Sequence, residues 1–218
     1  MLVLALDTAT PTLVAGVARW SPDGIEVLAE RAVPSGNRHA ELLTPAVQGV
    51  LADAGVAMAD VEAVVTGLGP GPFTGLRVGL VTAAAMSHAL GIATYGVCSL
   101  DALAVGQPGR VLVATDARRK EIYWAGYDAG VRFVGPEVAR PEAVATDGFD
   151  HAVGDGALRY EAVLGIKVVD EPRYPSAASL AELAAERISA KAPSEPLIPL
   201  YLRRPDATLP GARKPALP

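Results

Sequence analysis

Blocks of apolar residues separated by turn residues predict strands in the first part of this chain and a helix after them. Apolar runs predict strands at residues 2–6, 13–19 and 25–33. From residue 39 to residue 54 the apolar positions recur with the spacing of one helix face, and Gly55 follows where a left-handed helix stop belongs. The pattern therefore predicts an antiparallel meander with a helix packed on it.

A glycine-rich stretch, residues 67–91, predicts a strand end, a tight loop and a second helix. Glycine and proline residues at 67–72 break regular structure, Thr74 is the predicted helix N-cap, and Gly91 is the predicted stop. A phosphate-binding loop is not favoured, because the stretch contains no lysine and its prolines carry no amide hydrogen. We interpret the loop as a tight turn that lets the helix pack closely against its strand.

The second helix carries small residues on one face. Gly75, Gly79 and Ala83 recur every four residues and leave a shallow groove that admits another helix. Glycine costs about 1 kcal/mol relative to alanine in a helix interior. Close packing must therefore offset that cost, either inside the chain or across an interface.

The composition of the 218 residues narrows the class of protein. Half of the residues are hydrophobic, and the formal net charge of −5 argues against a protein that binds nucleic acid by itself.

Residues 78–100 carry no Asp, Glu, Lys or Arg, but Gly91 divides them, so a buried helix and strand are favoured over a membrane span. Asp7 interrupts the apolar N-terminus, which favours a first strand over a signal peptide. The single Cys98 cannot form an internal disulfide, which fits the reducing cytoplasm.

The second half of the chain repeats the opening. The strand, acid, turn and strand of residues 111–127 match those of residues 2–18 without a gap, and Asp116 stands in the place of Asp7. Such a repeat predicts a duplicated lobe. Further along, a helix is predicted from residue 179 to about residue 189.

We therefore expect two lobes of similar topology, residues 1–104 and residues 105–204. Residues 200–203 are expected to return and brace the two lobes. The Pro/Gly-rich residues 205–218 are expected to form a flexible tail.

A strand that ends in an acidic residue, followed by a Thr-rich hairpin and repeated in a second lobe, resembles the actin-like (ribonuclease-H-like, ASKHA) superfamily. This resemblance implies an α/β fold of two lobes with duplicated mixed sheets. A closer resemblance is to the signature of the TsaB (YeaZ) family, carried by the run GPGPFTGLRVGLVTAAAMSHALGIATYGVCSLDALA. The pieces LALDTAT, NRHAELLTP, ATDARRKEIYWA and PLYLRR add to it, so the match covers most of residues 1–204.

The family resemblance implies a role in forming N6-threonylcarbamoyladenosine in tRNAs that read codons beginning with A. It implies a cytoplasmic, non-catalytic subunit that binds and activates its paralogue TsaD as a heterodimer, with the ATPase TsaE completing the complex. It also implies that tRNA is met only through the complex and that no cofactor is tightly bound, since ATP and magnesium are used through the partners. The metal-binding histidines of TsaD fall on Ser99 and Leu103 here, and neither side chain replaces an imidazole as a metal ligand.

The candidate ligand residues belong to the two hairpins. A vestigial nucleotide site would use Asp7, Thr8, Thr10 and Asp116. The turn at residues 117–120 argues against it, because it has no glycine and no hydroxyl to hold a phosphate. No metal site is predicted, since the three histidines, His39, His88 and His151, do not have ligand spacing, and Cys98 is interpreted as a core thiol.

The two helices are the predicted partner surface, in a pseudo-symmetric four-helix arrangement with the equivalent helices of the paralogue. The predicted interface residues are His39, Leu42, Leu43, Ala46, Val47, Val50, Gly75, Leu76, Gly79, Leu80, Ala83 and Met86. On this hypothesis a leucine at Gly79 projects outward from the lobe. The alternative is that both apolar stripes cover the chain's own sheet.

Two hypotheses about function stay open at this point. The first is the non-catalytic subunit, and the second is a free-standing nucleotide hydrolase or peptidase-like enzyme of the actin-like superfamily. The sequence leaves open the stoichiometry of the complex and whether the chain forms a homodimer when its partner is absent.

Overall fold

A mixed sheet of five strands forms the first lobe of the computed structural model, which describes residues 1–203. The strands are β1 (Leu2–Asp7), β2 (Thr12–Ser21), β3 (Gly24–Pro34), β4 (Ala63–Gly67) and β5 (Ala93–Val97). Their order in the sheet is β3-β2-β1-β4-β5. β1, β2 and β3 form the predicted antiparallel meander, and β4 and β5 add to it in parallel. The predicted tail at residues 205–218 lies outside the described residues.

The second sheet repeats this topology. Its strands are β6 (Arg110–Asp116), β7 (Ile122–Asp128), β8 (Val131–Ala139) and β9 (His151–Val153), in the order β8-β7-β6-β9. β6, β7 and β8 form a second meander, and β9 pairs with β6 in parallel as β4 pairs with β1. A parallel bridge between Ala152 and Val168 continues the sheet where β5 lies in the first lobe. The predicted two-lobed actin-like fold with duplicated mixed sheets is confirmed.

Seven α-helices are present in the described part of the chain. They are α1 (His39–Ala54), α2 (Phe73–Leu90), α3 (Ser99–Ala104), α4 (Asp155–Arg159), α5 (Glu161–Leu164), α6 (Ala177–Leu183) and α7 (Ala185–Ser189). α1 has the predicted bounds and ends at Gly55 in the left-handed conformation. The helix predicted at residues 179–189 is two short helices, and α4 and α5 were not predicted.

Three helices pack across the predicted division at residues 104 and 105. Leu100 and Leu103 of α3 pack in the core of the second lobe. Leu180 of α6 and Ile188 of α7 pack against the first sheet. α3 thus belongs to the first half of the chain but packs on the second lobe, and α6 and α7 belong to the second half but pack on the first. Each helix buries its apolar face on the sheet that the other half of the chain supplies.

The two hairpins that carry the aspartates differ in length by one residue. Asp7 pairs with Val14 across six residues (8–13), whereas Asp116 pairs with Ile122 across five residues (117–121). Superposing the two hairpins therefore requires a gap of one residue at the turn, so the prediction of a match without a gap is wrong there. The shorter β6–β7 turn reverses through Arg118, Arg119 and Lys120, whose φ angles of 62°, 56° and 62° all lie in the left-handed region.

Residues 200–203 return to both lobes, as predicted. The Leu200 amide donates to the Leu68 carbonyl at 2.8 Å, and Arg203 donates to the Ala117 carbonyl at 3.2 Å. Within residues 1–203, every helix is too short or too polar to cross a membrane.

Candidate functional site

The loop between β4 and α2, residues 68–72, packs against the β1–β2 turn. A side chain on Gly67, directly before the loop, would meet the Asp7 carboxylate at 1.8 Å, and one on Gly71 would meet the Ala9 carbonyl at 2.4 Å. These contacts confirm the interpretation of this glycine-rich loop as a tight turn. The helix begins at Phe73 after Pro72, and no side chain caps it, so the prediction of Thr74 as N-cap is wrong.

Asp7 is fully buried at the end of β1. Its Oδ2 accepts a hydrogen bond of 2.5 Å from the Ser99 hydroxyl, and its Oδ1 accepts one of 2.8 Å from the Ala9 amide. Burial raises the pKa of Asp7, and the hydrogen bond from Ser99 opposes that rise. This carboxylate therefore links β1 to the beginning of α3 inside the first lobe.

Thr8 fills the small-residue groove of α2. Its hydroxyl donates to the Gly75 carbonyl at 2.8 Å and accepts from the Gly79 amide at 3.2 Å. A side chain on Gly79 would meet the Thr8 Oγ1 atom at 2.4 Å. The expectation that a leucine at Gly79 projects outward is therefore wrong, because the groove faces the chain's own β1–β2 turn.

Most of the predicted interface residues lie inside the first lobe. The buried ones are His39, Leu43, Ala46, Val47, Val50, Gly75, Leu76, Gly79, Leu80 and Ala83, whereas Leu42 and Met86 are half-buried. Residues that the prediction omitted form the exposed faces of the two helices: Ala40, Thr44, Pro45 and Gln48 on α1, and Arg77, Val81, Ala84, Ala85 and His88 on α2. Any partner of these helices in this conformation meets the second set first.

Asp116 ends β6 beside a second acidic residue, Asp155 of α4. The Asp116 amide donates to the Asp155 carboxylate at 3.3 Å, and the Asp116 carboxylate lies 3.7 Å from the guanidinium of Arg159. Burial raises the pKa of Asp155 to about 6, and the charge of Asp116 adds to that rise. Asp155 was not among the predicted site residues, although the Gly154-Asp155-Gly156 run after a short strand marks its position.

Two cavities open where the turns of the lobes approach each other. The first, of about 430 Å³, is lined by Thr10, His39, Phe73 and Arg118, among others. The second, of about 300 Å³, is lined by Gly71, Phe73, Arg118, Tyr123 and Arg203, among others. Arg118 therefore contributes a positive charge to both cavities.

The four residues of the predicted nucleotide site do not form one open site. Thr10 lines the first cavity, whereas Asp7, Thr8 and Asp116 line neither cavity. Thr10 also donates to the Thr12 carbonyl at 2.7 Å. Their hydrogen bonds to neighbouring backbone and side chains are those of residues that shape the turns.

Residues 1–203 contain no group of three or more His, Cys, Asp and Glu side chains arranged to hold a metal ion. His39 lies 2.8 Å from the Thr10 carbonyl through Nε2, and His151 lies 3.1 Å from the Gln107 side chain. Cys98 is buried, and burial raises the pKa of its thiol to about 12. The thiolate needed for a nucleophile or a metal ligand is therefore disfavoured.

Comparison with known proteins connects this fold to a family. Residues 33–196 match the family model described as TsaD, tRNA N6-adenosine threonylcarbamoyltransferase. The structure of YeaZ from Pseudomonas aeruginosa has a TM-score of 0.73 and 29% sequence identity, over 92% of this chain and 99% of that chain. The protein of Escherichia coli (strain K12) named tRNA threonylcarbamoyladenosine biosynthesis protein TsaB is 35% identical over 132 residues, 58% of this chain and 55% of the relative.

The chain belongs to the TsaB (YeaZ) family. A relative with a longer match is an uncharacterized protein of Mycobacterium tuberculosis (strain ATCC 25618 / H37Rv), which is 52% identical over 205 residues, 94% of this chain and 93% of the relative. The match to the TsaD model covers about three quarters of this chain and includes residues of both lobes.

Proposed function

We propose that this chain is a non-catalytic subunit required for the formation of N6-threonylcarbamoyladenosine in tRNA, and that it binds and activates a TsaD-type catalytic paralogue. The family membership supports the pathway. A TsaE-type ATPase completes the proposed complex, which uses ATP and magnesium through the partners and meets tRNA in the cytoplasm.

The observation that carries the non-catalytic role is the environment of Ser99 and Leu103, the positions aligned with the metal-binding histidines of TsaD. Ser99 is buried and donates to Asp7, and Leu103 is fully buried in the core of the second lobe. Neither residue lines the two cavities described between the lobes, and neither supplies the imidazole that metal-assisted chemistry needs.

The outer faces of α1 and α2 are the proposed contact with the paralogue. Val81 is 65% exposed, and Ala84 and Ala85 beside it are also exposed, so α2 presents an apolar strip to solvent. Exposed apolar strips of this kind are typical of protein interfaces. The two helices are packed side by side on one sheet, which holds this strip in a fixed orientation.

Reconstitution tests the proposal. The chain, its cognate TsaD-type paralogue and the TsaE-type ATPase are incubated with ATP, magnesium, preformed threonylcarbamoyl-adenylate as the group donor and unmodified tRNA, and the modified nucleoside is measured by mass spectrometry. We expect the product to form with the chain and to fall to background without it. Full modification in its absence would contradict the proposal.

A measurement on the isolated chain distinguishes the alternative hypothesis, a free-standing enzyme, from the proposed non-catalytic subunit. Titration calorimetry with ATP and magnesium, followed by a phosphate-release assay, is expected to give no turnover. Hydrolysis of ATP by the isolated chain would favour a free-standing nucleotide hydrolase. A peptidase is tested in the same way with a fluorogenic peptide mixture.

A further inference from the structure

Residues 192–203, here named the C-terminal segment, run from the first lobe to the second without helix or strand. The segment begins against β5, the edge strand of the first sheet. The Tyr95 hydroxyl donates to the Ala192 carbonyl at 2.8 Å, and the Thr94 amide donates to the Ser194 hydroxyl at 3.0 Å. Its first residues are therefore fixed to the first lobe.

The middle of the C-terminal segment is attached to the glycine-rich loop and to the beginning of α2. The Leu200 amide donates to the Leu68 carbonyl at 2.8 Å. The Tyr201 ring stacks on Phe73 with 5.1 Å between centroids, and its hydroxyl accepts from Arg77 Nε at 3.2 Å. Stacking and a hydrogen bond together fix the orientation of the tyrosine.

The end of the C-terminal segment holds the β6–β7 turn. Arg203 donates to the Ala117 carbonyl at 3.2 Å and forms an ion pair with Glu121. Ala117 and Glu121 are the two ends of this turn, where the Ala117 amide donates to the Glu121 carbonyl at 2.9 Å. One guanidinium therefore contacts both ends of the turn that reverses through three left-handed residues.

We propose that the C-terminal segment is an intramolecular latch that holds the glycine-rich loop and the β6–β7 turn together between the two lobes. Helices α3, α6 and α7 already pack across the two lobes, so the latch acts on the two loops that line the cavity between them. Left-handed conformations of non-glycine residues persist only where surrounding contacts maintain them. The segment supplies such contacts to the turn.

The latch also lines the second cavity between the lobes. In two-lobed enzymes a bound ligand closes the lobes by contacting loops from both. Here Tyr201 and Arg203 line the cavity of about 300 Å³ together with Gly71 and Ala117, so the chain itself connects the two loops. The two loops are thereby connected without a ligand. This inference does not depend on the proposed function, because it concerns the isolated chain.

Hydrogen exchange of the full chain, measured by mass spectrometry, tests the latch. The variant Tyr201→Ala/Arg203→Ala removes the side-chain attachments to both loops, and Arg19→Ala removes an exposed ion pair with Glu26 inside the first lobe as a matched control. We expect amides in residues 118–121 and 68–71 to exchange at least about tenfold faster in the double variant, while β1 and β6 keep their protection. Exchange in both loops within about twofold of the Arg19→Ala control would overturn the proposal.

A second set of variants tests the latch if Tyr201→Ala/Arg203→Ala does not fold. Arg203→Ala, Glu121→Ala and their combination are compared by exchange in residues 118–121. If the Arg203–Glu121 ion pair holds the turn, either substitution alone releases it. The amides of the double variant then exchange less than about twofold faster than those of the faster single variant. No acceleration in either single variant would overturn the proposal.

Discussion

The Ser99 hydroxyl and the Asp7 carboxylate meet at 2.5 Å inside the first lobe, and the Gly69 amide donates to the same hydroxyl at 3.2 Å. One buried set of hydrogen bonds thus joins the end of β1, the glycine-rich loop and the beginning of α3. The acidic residue that ends the first strand is therefore a structural connection between three elements.

Replacing Ser99 with alanine is expected to destabilise the fold. The change leaves a buried carboxylate and the Gly69 amide each short of a partner, and such a loss costs about 1 to 3 kcal/mol. The measurement is the free energy of unfolding in urea. Ser21→Ala, which removes an exposed hydroxyl from a hydrogen bond of 3.4 Å, is the control and is expected to change it by less than about 0.5 kcal/mol. Equal values for the two variants would contradict this role for Ser99.

Asp116→Asn is expected to leave the rate of tRNA modification by the complex within a few-fold of wild type. The carboxylate contacts Arg159 and the backbone amide of Arg118, and it lines neither cavity between the lobes. Loss of a general acid or base typically lowers a rate by about a hundredfold or more. A fall of that size in a variant with an unchanged melting temperature would make this chain a catalyst.

Asp155 is expected to make stability depend on pH. Burial raises its pKa to about 6 from the ordinary 3.8, so the folded state holds the proton more tightly than the unfolded chain does. Its contribution to stability is fully present below about pH 3.8 and is lost as the pH rises through about 6. Between these values the free energy of unfolding falls by about 1.4 kcal/mol per pH unit from this group.

Asp155→Asn tests this dependence, because an amide oxygen still accepts from the Asp116 amide but does not titrate. At pH 7 the variant is expected to be more stable than wild type, and the difference is expected to shrink as the pH falls toward 4. Urea unfolding at several pH values measures it, with the exposed Asp170→Asn as control. A difference that does not change with pH would be inconsistent with the raised pKa.

The parts of the fold that sequence predicted well are those set by local pattern. The apolar stripe of residues 39–54 and the following Gly55 gave both ends of α1, and the repeated strand and aspartate gave the second lobe. The one-residue difference in length between the two hairpins could not be predicted from the sequence. A turn of three left-handed residues changes the register, and no glycine marks it.

The errors concern contacts between distant parts of the chain. A row of small residues shows that something approaches α2 closely, but Thr8 lies 71 residues before Gly79, its hydrogen-bond partner. The packing of α6 on the first sheet is equally non-local. For the candidate site, sequence identified Asp7, Thr10 and Asp116, but burial and hydrogen bonds decide that the first and last do not face the cavities.

The contact between Gly79 and Thr8 predicts that Gly79→Ala destabilises the fold by about 1 to 3 kcal/mol, since an added methyl group would overlap the Thr8 hydroxyl. The cost is expected to be at least about 1 kcal/mol smaller in a Thr8→Ala background, where that hydroxyl is absent. Ala85→Leu, at an exposed position of the same helix, is the control. Additive effects of the Gly79 and Thr8 changes would show that the two residues do not compete for this space.

The outer face of α2 gives the sharpest test of the partner surface. Val81 is 65% exposed there, and Val131 is 71% exposed on β8 of the second lobe, so the two valines differ in place rather than in exposure. A charge inside an interface loses its hydration without a partner, whereas the same charge on free surface does not. Val81→Asp is therefore expected to weaken binding to the TsaD-type paralogue by about tenfold to a hundredfold, which is about 1.4 to 2.8 kcal/mol. Both variants are expected to melt as wild type does, and Val131→Asp is expected to keep its affinity. If calorimetry gives the same dissociation constant for both variants, α2 does not face the partner, and the proposed pairing of helices must be abandoned.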